Sequence, residues 1–100
     1  MEIEKSKSGA NLLKLPATLD LAAADSLHAA GLQAVGLGED LRLDAGEVAK
    51  VSTACLQILV AMDIKLAGDG HSLAFEGVSD VLKESLLDLG MNEYLDKWSR

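Results

Sequence analysis

Ser52 and Thr53 stand side by side just ahead of the long apolar stretch Ala54 to Ala67. The first turn of a helix carries backbone N–H groups without partners and a partial positive charge. A hydroxyl there has two uses. It accepts from one of those N–H groups as an N-cap, or it stands exposed and receives a phosphate that the helix end stabilises. Both readings fit the two residues. The other groups capable of chemistry are scattered. Cys55 is the single cysteine, so an internal disulfide and a cysteine metal cluster are excluded. His28 and His71 lie far apart in sequence, without the spacing of a metal pair. Neither is tied by a motif to Ser52 or Cys55, so no nucleophile–base pair is written in the chain. Glu39 and Asp40 read as solvated charge, and the glycines around Gly31, Gly36 and Gly38 fit no nucleotide-binding fingerprint.

Several elements must position the two hydroxyls. Leu41 and Leu43 alternate with Arg42, the period of a strand buried on one face, and Asp44 and Gly46 stop it. The helix that begins at Ser52 or Thr53 and runs to Ala67 is apolar almost all round. One stripe is Cys55, Ile58, Leu59, Met62 and Leu66; a second is Leu56, Val60 and Ile64, flanked by Gln57 and Asp63. One stripe faces the sheet, and the second is expected to be covered by neighbouring helices, with a docking surface as the alternative.

Ahead of this centre, residues 1 to 15 read as a hairpin with Ser8-Gly9 as its turn, ended by Pro16, which has no N–H to donate. Asp20 caps a helix from Leu21 to about Val35, with Leu21, Ala24, Leu27, His28, Gly31, Leu32 and Val35 on one arc. After it, Gly68 and Gly70 turn the chain into a strand from Ser72 to Phe75. Ser79 caps a helix whose buried stripe is Val81, Leu82, Leu86 and Leu89. Asn92 to Trp98 makes a last helical turn or two. Tyr94, Leu95 and Trp98 either pack back onto the body or leave Trp98 as an interface anchor. Strands alternate with helices after residue 16, and the one-sided alternation at Leu41 to Leu43 places the helices on one face of a mixed sheet. The expected core includes Leu41, Leu43, Leu59, Met62, Leu73, Phe75, Leu82 and Leu86.

Bulk properties agree with one globule. One hundred residues, 49% apolar, make a single domain over 1–100 with one core. A net charge of −7 argues against a nucleic-acid partner, which requires a positive surface. The first ten residues lack the apolar segment of a signal peptide and no run suits a membrane span, so a cytoplasmic protein without membrane insertion is expected.

The order of these pieces resembles the STAS domain family, the anti-sigma factor antagonists and sulphate-transporter tails. The resemblance rests on Leu-Asp-Ala-Gly-Glu-Val-Ala-Lys-Val-Ser-Thr-Ala-Cys-Leu-Gln-Ile-Leu (Leu43 to Leu59). It continues through Ala67-Gly68-Asp69-Gly70, the strand at Ser72 to Phe75, and Leu89-Gly90-Met91-Asn92-Glu93-Tyr94-Leu95. It implies a single α/β domain with helices on one face of a mixed sheet, no catalysis and no cofactor. It also implies a bacterial signal-transduction protein, monomeric or weakly dimeric, in transcription regulation. The implied partner is a histidine-kinase-like ATPase, either an anti-sigma factor or a kinase. In such antagonists a hydroxyl at the start of the helix after the central strand is phosphorylated and the complex dissociates. Aligned on Leu56 and Leu59, the family's aspartate falls on Ser52, its first hydroxyl on Thr53, its second hydroxyl on Ala54 and its glycine on Cys55. The second hydroxyl, the usual phosphoacceptor, is thus absent. Thr53 becomes the first phosphorylation candidate and Ser52 the second, with the partner docking over Ser52 and Thr53 and touching Gln57 and Val60. The alternatives are an adaptor of a chemotaxis or two-component cluster, the regulatory subunit of a lipid-transport ABC ATPase, and a STAS domain with a small-molecule or nucleotide site.

Overall fold

In a computed structural model, residues 1, 3–5 and 10–99 are described. Leu13, Leu15, Leu41, Leu43, Ala45, Leu73 and Phe75 point to one side of a sheet and are buried. Their neighbours Leu12, Arg42, Asp44 and Ala74 point to the other side and stay half-buried. This period of two along each strand decides that one face carries the core. The strands are β1 (Ile3–Lys5), β2 (Asn11–Lys14), β4 (Leu41–Ala45) and β6 (Leu73–Val78), in the order β1-β2-β4-β6. β1 and β2 pair antiparallel as the expected hairpin, whose Ser8-Gly9 turn lies outside the described residues. β2, β4 and β6 pair parallel, so the sheet is mixed. The β4–β6 ladder shifts register after Leu43, where Phe75 faces Leu43 but Gly77 faces Asp44. That shift leaves Glu76 as an extra residue in the edge strand, the geometry of a bulge.

Four helices lie against the core face: α1 (Leu21–Gly36), α2 (Thr53–Gly68), α3 (Asp80–Asp88) and α4 (Asn92–Trp98). The first three begin at the expected caps. Asp20 Oδ1 accepts from the Ala23 amide at 3.1 Å, Ser52 Oγ from Cys55 at 3.2 Å, and Ser79 Oγ from Leu82 at 3.2 Å. Each such cap is worth about 1 kcal/mol. All eight expected core residues are buried.

Three helical faces differ from the reading above. α1 buries Leu27, Ala30, Gly31 and Ala34, whereas Leu21 and Leu32 are 76% and 61% exposed. Small side chains let α1 approach α2 closely: a Cβ on Gly31 would sit 2.9 Å from Met62 Cγ and Sδ. Burial on α1 therefore follows closeness of fit rather than hydrophobic size. On α2 the second stripe is not covered as expected. Leu56 is buried and Val60 half-buried, but Ile64 is 61% exposed. In α3 only Leu82 and Leu86 are buried, while Val81 and Leu89 are 40% and 49% exposed. The last helix packs back completely. Trp98 has no exposed surface and meets Phe75 edge-on, with ring centroids 5.6 Å apart, so it is no exposed anchor.

A second, parallel pairing joins β3 (Thr18–Leu19) to β5 (Lys50–Val51), the short segments that lead into α1 and α2. The Ser52 amide donates to the Leu19 carbonyl at 2.7 Å, and the Cys55 thiol donates to the Asp20 carbonyl at 3.4 Å. The two helix starts are thereby held side by side.

Candidate functional site

The start of α2 lies beside the start of α1, tied to it through β3 and β5. Ser52 is half-buried, and its hydroxyl is engaged with the Cys55 amide. Thr53, the first helical residue, is exposed, and the first turn contains no acidic residue. Ala54 is half-buried and Cys55 is fully buried as part of the core. A helical period of 3.6 carries the outward line from Thr53 to Gln57, Val60 and Ile64. Gln57 is exposed and Val60 half-buried. Three of the four expected contact residues thus lie on one outward stripe of α2, with the exposed Ile64 continuing it and Ser52 beside its head as the N-cap.

Beside Ser52 opens a cleft of about 420 Å³, lined by Leu19, Asp20, Lys50, Val51, Ser52, Val81 and Ser85. Its floor is apolar and its rim carries one cation, Lys50, which is exposed. Leu21, the residue after Asp20, and Val81 add exposed apolar surface around the helix start. Sequence reasoning did not single out Lys50, and it assigned Leu21 and Val81 to packed helix faces. Lys50 was visible as a lone cation two residues ahead of Ser52. Leu21 and Val81 come to this end only because β3–β5 and α3 bring them there.

The remaining chemical groups do not converge on Ser52 or Thr53. His28 is exposed on α1, and His71 Nδ1 lies 3.6 Å from Asp40 Oδ1 on another edge. Asp40 Oδ1 also accepts from the Ser72 amide at 2.9 Å, so it orders a turn. Lys5 donates to Glu39 at 2.7 Å and, as hydrogen-bond donor and positive charge together, holds that carboxyl below its ordinary value. Among the described residues no group of three or more His, Cys, Asp or Glu side chains is arranged to hold a metal ion. No helix among them is long and apolar enough to cross a membrane.

The flanks of α2 differ. Toward α4, Asp63 is 3% exposed; it accepts from Lys97 Nζ at 2.8 Å and from Trp98 Nε1 at 3.2 Å. The sequence placed Asp63 at the border of an apolar stripe; its partners, more than thirty positions away, gave no local signal. Toward α1, a groove of about 340 Å³ runs between the helices, lined by His28, Gly31, Leu32, Val35, Ala54, Gln57, Ile58, Ala61, Met62 and Lys65.

The start of α2 thus combines hydroxyls on a helix end, an apolar surround and an outward stripe. The family described as "Mlab, STAS domain" matches residues 4–96. Among curated proteins, no relative matches the chain. The match takes in every element from β1 to α4 bar the ends, and with it the mixed sheet and its helices, so the chain belongs to the STAS domain family and is an interaction module of that kind.

Proposed function

We propose that this chain is a non-catalytic adaptor that docks on an ATP-binding partner through the N-terminal end of α2. The observation that carries this reading is the outward stripe of Thr53, Gln57, Val60 and Ile64, which starts beside the cleft at Ser52 that Val81 lines. Apolar surface gathered around polar groups on a small domain marks a docking surface. The partner favoured by the family resemblance is a histidine-kinase-like ATPase, an anti-sigma factor or kinase, in the cytoplasm. Thr53 is the residue to be phosphorylated, being exposed, whereas the Ser52 hydroxyl is half-buried and occupied as a cap. A phosphate on Thr53 adds about −1.5 to −2 charges, which the helix start tolerates but an apolar or acidic partner surface does not. Docking is then released.

A second reading, the regulatory subunit of a lipid-transport ABC ATPase, is favoured by the Mlab description of the matching family and by Ala54 at the usual phosphoacceptor position. In it the module stays docked without a switch. The test is to isolate the partner that co-purifies with the tagged chain from its own cell, then to titrate it with wild type, Thr53→Ala, Thr53→Glu and Gln57→Ala. A switched adaptor loses binding with Thr53→Glu by tenfold or more and keeps it with Thr53→Ala. A permanent subunit binds all Thr53 variants alike. Equal binding by Gln57→Ala and by a Val60→Asp variant removes the stripe from the interface and ends the proposal.

A further inference from the structure

The groove between α1 and α2 begins at Ala54, beside the helix start, and shares Gln57 with the outward stripe. Its apolar walls and its far end at Lys65 take no part in the docking described above. Its walls are Leu32, Val35, Ile58 and Met62, and its small lining residues are Gly31 and Ala61. Leu32 is 61% exposed, so the apolar wall faces water. Its volume of about 340 Å³ falls at the low end of the roughly 300–1,000 Å³ of small-molecule sites. The groove follows α2 from Ala54 to Lys65, a length of about 16 Å at the rise of a helix. It is narrow because Gly31 and Met62 bring the two helices together. A long and narrow apolar slot suits an extended hydrocarbon chain better than a bulky helix.

The charge at its end selects the head of that chain. Lys65 lies in the last turn of α2, and among the described residues it has no ion-pair partner. Lys5, Lys14 and Lys97 each face a carboxylate, whereas Lys50, Lys65 and Lys83 do not, and of these three only Lys65 lines the groove. In a chain with sixteen acidic and nine basic residues, a lysine left without an acid at the mouth of an apolar slot is complementary to an anion from outside. We propose that the groove binds a single-chain carboxylate amphiphile, with its hydrocarbon between Leu32 and Ile58 and its carboxylate on Lys65. Such a ligand covers the exposed Leu32 and supplies the missing counter-charge in one step.

The test uses the full chain with three probes of equal chain length: dodecanoate, dodecyltrimethylammonium and dodecanol, each below its aggregation threshold. Binding is followed by amide chemical shifts and by the thermal unfolding midpoint. Dodecanoate is expected to raise the midpoint and to shift the amides of Gly31, Leu32 and Ala61. Lys65→Glu is expected to weaken it about fivefold, the scale of an exposed ion pair. Ala61→Trp, which fills the slot from an exposed position, is expected to abolish binding while circular dichroism stays unchanged. Leu32→Asp serves as a second blocking variant should Ala61→Trp disturb the fold. Absence of dodecanoate binding overturns the proposal. So does equal binding of all three probes, because the head would then play no part. Loss of binding in His28→Ala with Lys65→Glu unaffected also overturns it, by placing the head elsewhere.

Discussion

The two flanks of α2 solve the same problem in opposite ways. Toward α4 the helix presents an ionisable group, Asp63, and the fold surrounds it with Lys97 and Trp98 until almost no surface is left. Toward α1 it presents apolar groups and one lysine, and leaves them open as a groove. Polar atoms taken out of water must find partners within the chain, because an unpaired one costs roughly 1–3 kcal/mol. Apolar atoms left in water carry a smaller penalty per group and are tolerated where another molecule can cover them. The sealed flank therefore serves stability, and the open flank is available for recognition.

That contrast is broken most directly at Trp98. Trp98→Ala removes a fully buried ring from between Phe75 and Tyr94. It should lower the unfolding free energy by about 3–5 kcal/mol in a denaturant titration. An unchanged midpoint means that α4 is not docked and that the flank is not sealed. Leu59, buried beneath both flanks, provides the reference: Leu59→Ala should cost about 2–5 kcal/mol. Asp63→Ala strands the Trp98 N–H and should cost about 1–3 kcal/mol, while Asp63→Asn keeps an acceptor and should cost less. If Asp63→Ala is neutral, the indole has found another partner. On the open flank, Leu32→Gln should stay within about 0.5 kcal/mol of wild type, because its side chain is largely solvated. A larger loss there would show that the groove is closed in solution.

The smallest effect lies at the Lys5–Glu39 pair, where both side chains are more than half exposed. Lys5 lowers the Glu39 pKa in the folded state, so the carboxyl releases its proton more readily there than in the unfolded chain. Its contribution is present above the ordinary value of 4.5 and is lost as pH falls through the lowered folded value. Comparing Glu39→Gln with wild type from neutral to acid pH should show a small difference that fades toward acid. About 1 M salt should erase it at every pH.

What was legible in the sequence follows range. Asp20, Ser52 and Ser79 cap helices through amides three residues away, so local pattern alone located three helix starts. Leu41, Leu43, Leu73 and Phe75 announced a one-sided sheet by alternation. The order of motifs along the chain carried the family. Where the outcome depended on a distant partner, pattern failed. Asp63 read as a border residue because Lys97 and Trp98 lie at the other end of the domain. Leu21 and Leu32 read as core, yet the close approach at Gly31 turned the small residues of α1 inward instead. β3 and β5 are two residues each, too short for any periodicity to show. At the site, helical spacing put Val60 and Ile64 on one stripe with Gln57 at its flank, and the family resemblance pointed to Ser52 and Thr53, but the surround of Leu21, Lys50 and Val81 was not legible.

The β3–β5 pairing has a kinetic consequence. It ties the segments ahead of α1 and α2 to each other through Leu19 and Ser52 before any partner arrives. A loop that must be ordered during association slows capture and weakens the complex by the entropy it loses. Here that ordering is completed when the chain folds, so under the docking proposed above the Ser52–Thr53 end would meet its partner as a rigid body. Capture at this end is then governed by diffusion and orientation rather than by rearrangement, and the lifetime of the complex is set by how fast it comes apart.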